Sequence, residues 1–307
     1  MIPPHLRPRT APEIADAAVQ LGRRHFRPLF ALAALVALPG MLLSVVQVRF
    51  VPTPTMGEPL GEFAPAVFMI LALGMGVFLI GLGAVVRSVA AAYLDDRALE
   101  PLAAIRIALG RAPRLLLASL LAYVYAGLLM GLWVLVVSLA GGVVGALITP
   151  AIAGSGLGAV SGVLVIVLGF AVVAGTVLVG LLLLARYVNV TAVVMLEERG
   201  PVASVRRASE LSRGSLRRSA LLLFLIGVLY SLVYVAVWAI AGLLLRDENL
   251  GALVASVVTI PLSPFLAAVL VVLYYDLRIR REGLDLELLA DALDAPVDGA
   301  PAAEGAR

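Results

Sequence analysis

Six stretches of this chain are apolar over lengths that cross a bilayer core of roughly 30 Å, and they dictate what the chain can fold into. They run Pro28–Val48, Pro65–Leu94, Leu115–Ile148, Leu157–Leu196, Leu216–Leu245 and Leu250–Leu277, separated by polar or Gly/Pro-rich segments. Composition agrees, with 14% of the 307 residues charged against about 25% in a soluble domain. An all-α integral membrane protein is expected. Residues 1–28 are polar and rich in Arg and Pro, without the short apolar core of a cleavable signal peptide. Without Cys there are no disulfides or thiolate metal sites, and only His5 and His25 carry imidazole.

The 23 basic residues are all Arg, a bias expected of a GC-rich bacterial coding sequence rather than of function. Once the spans are drawn, all but Arg49 and Arg246 fall on one side. Cytoplasmic segments carry the excess of positive charge, so both termini are expected inside a bacterial plasma membrane. The external loops are short and leave no room for an extracellular domain.

A threefold plan is visible. Each pair of spans follows a short amphipathic segment: Ile14, Ala17, Ala18 and Leu21 in the first, Leu102, Ile105 and Leu109 in the second, Val202, Val205 and Ala208 in the third. Thr10 and Glu13 are spaced as a capping box. Pro101, Ala103, Arg106 and Ala108 match Pro201, Ala203, Arg206 and Ala208, while Leu94-Asp95-Asp96-Arg97 resembles Leu196-Glu197-Glu198-Arg199. Tyr275-Asp276-Leu277-Arg278 echoes the same boundary. Three parallel repeats of one amphipathic cytoplasmic helix plus two spans are predicted.

Spans two and four are too long for the membrane, reaching roughly 45 and 60 Å as helices. Residues 88–94 and 187–196 are therefore expected to project into the cytoplasm, with the amphipathic segments covering them as a helical collar. Residues 1–27 then form an N-terminal amphipathic segment, 28–282 the six-span domain with its collar, and 283–307 an acidic helix and disordered tail.

Candidate sites are few. Arg87 and Arg186 occupy similar places in two repeats, with Asn189 one turn beyond Arg186. Together with Asp276 they could bind an anion or lipid headgroup; the simpler reading is snorkelling at the interface. Asp95/Asp96 and Glu197/Glu198 point in different directions on a helix, which suits caps or local Arg partners better than a metal site. His5 and His25 lack the spacing of a zinc site. Pro39, Pro261 and Pro264 predict kinks, the last two beside Thr259 and Ser263, where a polar notch is the alternative. Gly127/Gly131 and the run Gly154-Ser155-Gly156-Gly158-Gly162 suit close helix approach or loop chemistry.

In the tail, Leu286, Leu289 and Leu293 recur at helical spacing among Asp285, Glu287, Asp291 and Asp294. An acidic amphipathic helix is ill suited to an anionic leaflet. It is expected either to dock on Arg206, Arg207, Arg213, Arg217 and Arg218, or on a basic partner, or to remain solvated.

The run Leu273-Tyr274-Tyr275-Asp276-Leu277-Arg278-Ile279-Arg280-Arg281-Glu282-Gly283-Leu284-Asp285, entered from a Pro-containing last span, resembles the end of a bacterial family. That family is named for the membrane domain of glycerophosphoryl diester phosphodiesterase. Leu6-Arg7-Pro8-Arg9, followed by Arg24-His25-Phe26 and Pro28, is similar to its start. The likeness is best at the two ends, and the organisation matches over roughly residues 6–293. The resemblance implies an integral membrane protein; the soluble catalytic barrel of some relatives is absent, so no phosphodiesterase activity carries over to any residue.

No phosphate loop, nucleophile elbow or HExxH motif occurs. The function expected is non-enzymatic and without cofactor: a scaffold or subunit that associates with membrane lipids or a protein partner, and not with nucleic acid. The alternative is a transporter or lipid translocator with a pseudo-threefold central cavity, which a continuous polar pathway or a lateral lipid portal would favour. Scarce ionisable residues within the spans argue against ion or proton coupling.

Overall fold

The computed structural model describes residues 7–50, 64–153 and 158–283, and those residues are all-helical. The elements are α1 (Ala11–Arg24), α2 (Phe26–Phe50), α3 (Ala64–Leu94), α4 (Pro101–Gly110), α5 (Ala112–Ala153), α6 (Gly158–Tyr187), α7 (Val190–Leu196), α8 (Pro201–Ser212), α9 (Leu216–Leu245), α10 (Glu248–Thr259) and α11 (Ser263–Glu282). A 3₁₀ turn, Ile260–Leu262, joins α10 to α11. Among the described residues, six helical segments are long and apolar enough to cross a membrane. The chain is a multi-pass membrane protein.

Two spans differ from the sequence expectation. Span four is broken at Val188–Asn189, so α7 is a separate helix rather than a straight extension of α6. Span six is interrupted where Pro261 and Pro264 remove backbone donors, and it continues past Leu277 to Glu282. Thr259 is saturated there: its hydroxyl lies 2.8 Å from the Ala255 carbonyl and 3.4 Å from the Tyr230 hydroxyl. Thr259 is thus satisfied within the kink, while Ser263 borders a largely apolar cavity of about 210 Å³ between α2, α3 and α11. Pro39 leaves α2 a continuous helix.

The core lies at the Arg-rich end of the bundle. Residues 84–93 are buried except Arg87, and α7 is buried from Val190 to Met195. The ends of α3, α7 and α11 contact one another there. α4 packs on α3; α8 packs on α5, α6 and α7; α1 packs on α11. Farther along the spans most side chains are exposed, as lipid-facing helices are.

One short helix, α4, turns a different face inward from the one its large apolar residues suggest. α4 buries Ala104 and Ala108, while Leu102 and Leu109 are 64% and 54% exposed. α8 buries Val205 and Ala208 of its expected stripe, together with Ser204, Leu211 and Ser212, and exposes only Val202 of that stripe. Small side chains let these helices lie close against the long ones, and close contact outweighs the larger transfer energy of a Leu held farther away. α1 keeps its expected face, with Ile14 and Ala18 buried, and the capping box at Thr10–Glu13 forms. The three helices share one pattern: positions 14, 104 and 204 are buried, 16, 106 and 206 exposed, and 18, 108 and 208 buried.

The C-terminal ends of three elements at the Arg-rich end are also alike. Asp96, Glu198 and Gly283, which follow α3, α7 and α11, all adopt left-handed backbone conformations with φ of 53°, 55° and 64°. That conformation closes a helix C-terminus and favours Gly. Asp96 and Glu198 carry a side chain there at some steric cost. Each is held by the residue that caps a short helix: His25 Nε2 sits 3.1 Å from Asp96 Oδ1, with Arg24 also on Asp96, and Arg111 binds Glu198. In the third set Arg281 donates instead to the Arg213 carbonyl beside Gly283. Asp96 therefore takes partners 71 and 72 residues away rather than the adjacent Arg97.

Helix approach depends on glycines other than those expected. A Cβ on Gly127 or Gly131 would meet no atom within 4 Å. At Gly251 it would fall 2.7 Å from the Gly242 nitrogen and 2.8 Å from the Trp238 carbonyl oxygen, so α9 and α10 touch through backbone. α5 and α6 pack with Trp133 against Gly175 and Met130 against Gly180. Gly154–Gly156 lie outside the described residues.

Candidate lipid site and the polar clusters at the Arg-rich end

Among the described residues Asp276 is the most buried carboxylate, 2% exposed, because α11 continues past it where a span boundary was expected. Arg218 Nη2 donates to its Oδ2 at 2.7 Å and Arg280 Nε to the same oxygen at 3.0 Å. The Arg9 backbone N–H donates to Oδ1 at 2.6 Å. Arg280 also donates to the Arg9 carbonyl at 2.7 Å. The carboxylate is fully engaged within the protein and is a structural joint rather than an open ligand.

Glu197 anchors a second cluster. It accepts from the Tyr274 hydroxyl at 2.8 Å, from Arg199 Nε at 2.7 Å and from Arg207 Nε at 3.0 Å. Burial pushes its pKa up, but the hydrogen bonds from Tyr274 and Arg207 and the charge of Arg207 outweigh burial and hold it below the usual carboxylate range. Arg207 also pairs with Glu282, which accepts from Arg278 Nε at 3.1 Å.

These pairings occupy part of the expected docking surface. Arg207 and Arg218, two of the five Arg assigned to the acidic tail, are already bound to Glu197, Glu282 and Asp276. Arg206 pairs with Glu210 one turn away at 3.5 Å, and Arg213 and Arg217 are exposed. Asp285, Glu287, Asp291 and Asp294 lie outside the described residues, as does His5.

The four residues expected to form an anion site are divided. Asp276 joins Arg218 and Arg280 as above. Arg87 lies within electrostatic reach of Tyr275, and its Nε is buried without a hydrogen-bond partner. Arg186 and Asn189 fall on either side of the α6–α7 break, Arg186 in the last turn of α6 and Asn189 at the N-cap of α7. Arg186 Nη2 lies 3.3 Å from the Ser209 hydroxyl, and its guanidinium sits 5.7 Å from the Tyr187 ring centroid. Its Nε finds no partner, and neither does either polar atom of the Asn189 amide, although that residue is 1% exposed. Counted back from the left-handed caps, Arg87 corresponds to Asn189 and to Tyr274 (87 to 96, 189 to 198, 274 to 283), not to Arg186.

What sequence reasoning missed is a cavity. About 540 Å³ lies between α3, α5, α6 and the start of α7. Phe78, Leu82, Ala126, Gly127, Met130 and Leu183 form apolar wall, while Ser119, Tyr123, Tyr187 and Thr191 bring hydroxyls to it. Its mouth is lateral: Phe78, Tyr123 and Leu184, on three candidate spans, are each half exposed or more. The α6–α7 break borders the cavity through Tyr187, Val188, Val190 and Thr191. No periodicity reports such a space, which arises where helices distant in sequence diverge. The available signal was the interruption of span four by Asn189, which cannot be buried cheaply.

Among the described residues, no group of three or more His, Cys, Asp or Glu is placed to hold a metal ion. Comparison with protein-family models, with curated proteins and with solved structures found no match.

Proposed function

We propose that this protein is a non-enzymatic lipid-associating subunit of a bacterial plasma membrane, with both termini cytoplasmic. The observation that carries the reading is the lateral cavity of about 540 Å³, a volume typical of small-molecule sites. It has apolar walls, a few hydroxyls, and a mouth on helices that face lipid. Acyl chains are the hydrocarbon available at that position. The Arg distribution supports the orientation, since short cytoplasmic segments carry the positive excess.

The three parallel repeats are part of the same proposal. Their support is the shared burial pattern of α1, α4 and α8 and the left-handed residue that follows α3, α7 and α11. The family resemblance belongs to it as well, and its two strongest segments meet where Arg9 bonds Asp276.

The test is native mass spectrometry of the protein released from lipid nanodiscs. Retention of one lipid per chain, lost when Gly127→Phe fills the cavity, is the expected result. Equal retention by both proteins would place the lipid elsewhere and remove the basis of the reading. A lateral mouth also suits a lipid translocator. Accelerated transbilayer exchange of labelled lipid in proteoliposomes would select that second reading.

A further inference from the structure

The geometry points to an anionic phospholipid as the occupant of the cavity, with an acyl chain between α3, α5 and α6 and its phosphate on Arg186. This inference rests on the lipid-association reading and adds the headgroup and the residue that selects it.

Arg186 is the last residue but one of α6, directly beside Tyr187 in the cavity border. Its guanidinium stands 5.7 Å from the centroid of the Tyr187 ring, a cation–π distance to a residue that lines the cavity. No carboxylate pairs with it among the described ion pairs, whereas Arg111, Arg207, Arg218, Arg278 and Arg280 each have one. Its one hydrogen bond is the 3.3 Å contact to Ser209, and its buried Nε has none. A guanidinium offers five N–H donors in a fork that matches phosphate oxygens. A partly buried cation without a carboxylate partner, against the ring of a tyrosine that lines a largely apolar cavity, is the complement of a lipid phosphate attached to an acyl chain. A free phosphate could meet the cation but would leave the apolar wall empty.

The experiment compares phosphatidylglycerol with phosphatidylcholine, whose phosphate is neutralised by its own choline ammonium, supplied in equal amounts in nanodiscs, by native mass spectrometry of the full chain. The expected result is about a tenfold preference for phosphatidylglycerol, the scale of one charge-assisted hydrogen-bonded contact. Arg186→Gln should abolish the preference and Arg186→Lys should keep most of it. Retention of both lipids without preference, or a preference unchanged in Arg186→Gln, overturns the assignment to Arg186. If both lipids are then lost in Gly127→Phe, lipid association itself stands and only the headgroup inference falls. Failure of the unsubstituted protein to retain any lipid removes both. Displacement of the lipid by millimolar inorganic phosphate alone would show that the site takes free phosphate, and would also overturn the proposal.

Discussion

The backbone N–H of Arg9 donates to the buried carboxylate of Asp276 across 2.6 Å, joining residues 267 apart in the chain. Arg218 and Arg280 complete the site, so one carboxylate ties the segment before α1 to α9 and α11. Removing it would strand two guanidinium groups and a backbone donor in a partly dry setting.

Asp276→Ala is expected to cost about 3 kcal/mol, the low end for breaking a buried pair, because Arg218 and Arg280 keep some contact with water. The measurement is the detergent-solubilised thermal midpoint, with proteolysis near Arg9 as a local readout. A loss below about 0.5 kcal/mol, the scale of an ordinary surface change, would contradict the assigned role.

Glu197 gives the protein a sensitivity to acid. Its folded pKa lies below the unfolded value of about 4.3. The stability it contributes is therefore fully present above that unfolded value and is lost as pH falls through the folded one. Glu197→Gln removes this dependence. The difference in thermal midpoint between the two proteins should be largest at neutral pH and shrink toward pH 3; a constant difference would count against it.

Arg111 holds two groups at the end of α7, the Met195 carbonyl and the Glu198 carboxylate. Arg111→Ala should therefore destabilise more than Glu198→Ala. The carboxylate is well exposed, so the coupling in a double-mutant cycle should stay below about 1 kcal/mol. The reverse order of the two single variants would refute the arrangement.

Gly251→Ala places a methyl group 2.7 Å from the Gly242 nitrogen, where only backbone can yield. The expected cost is about 1–3 kcal/mol, despite the better helix propensity of Ala. Gly227→Ala, which meets nothing within 4 Å, is the internal control and should be neutral or stabilising.

Asn189 buries both polar atoms of its amide without a partner. Asn189→Val should raise stability by about 1 kcal/mol or more, because it removes an unmet desolvation penalty. A fall in the thermal midpoint would mean that the amide has a partner in the membrane-embedded protein.

How much was legible depends on the range of the interaction. Hydropathy is a sum over neighbouring residues, so the spans were readable, and the Thr10–Glu13 box was readable because its partners are one turn apart. The face of α4 was misread because Leu102 and Leu109 form the more apolar stripe, while contact with α3 selects Ala104 and Ala108 by size. Asp276 was read as an open candidate because its partners come from residues 9, 218 and 280, and only Arg280 is a helical neighbour.

By itself, the amino-acid order determined that six apolar segments become helices in a membrane and that positive charge gathers at one end. Both follow from the transfer of local groups between water and hydrocarbon, which needs no knowledge of the rest of the chain. Only the tertiary structure decided which Arg are neutralised and where a cavity opens. Ion pairing and empty space depend on where distant helices touch or separate, and that geometry belongs to the packed bundle as a whole.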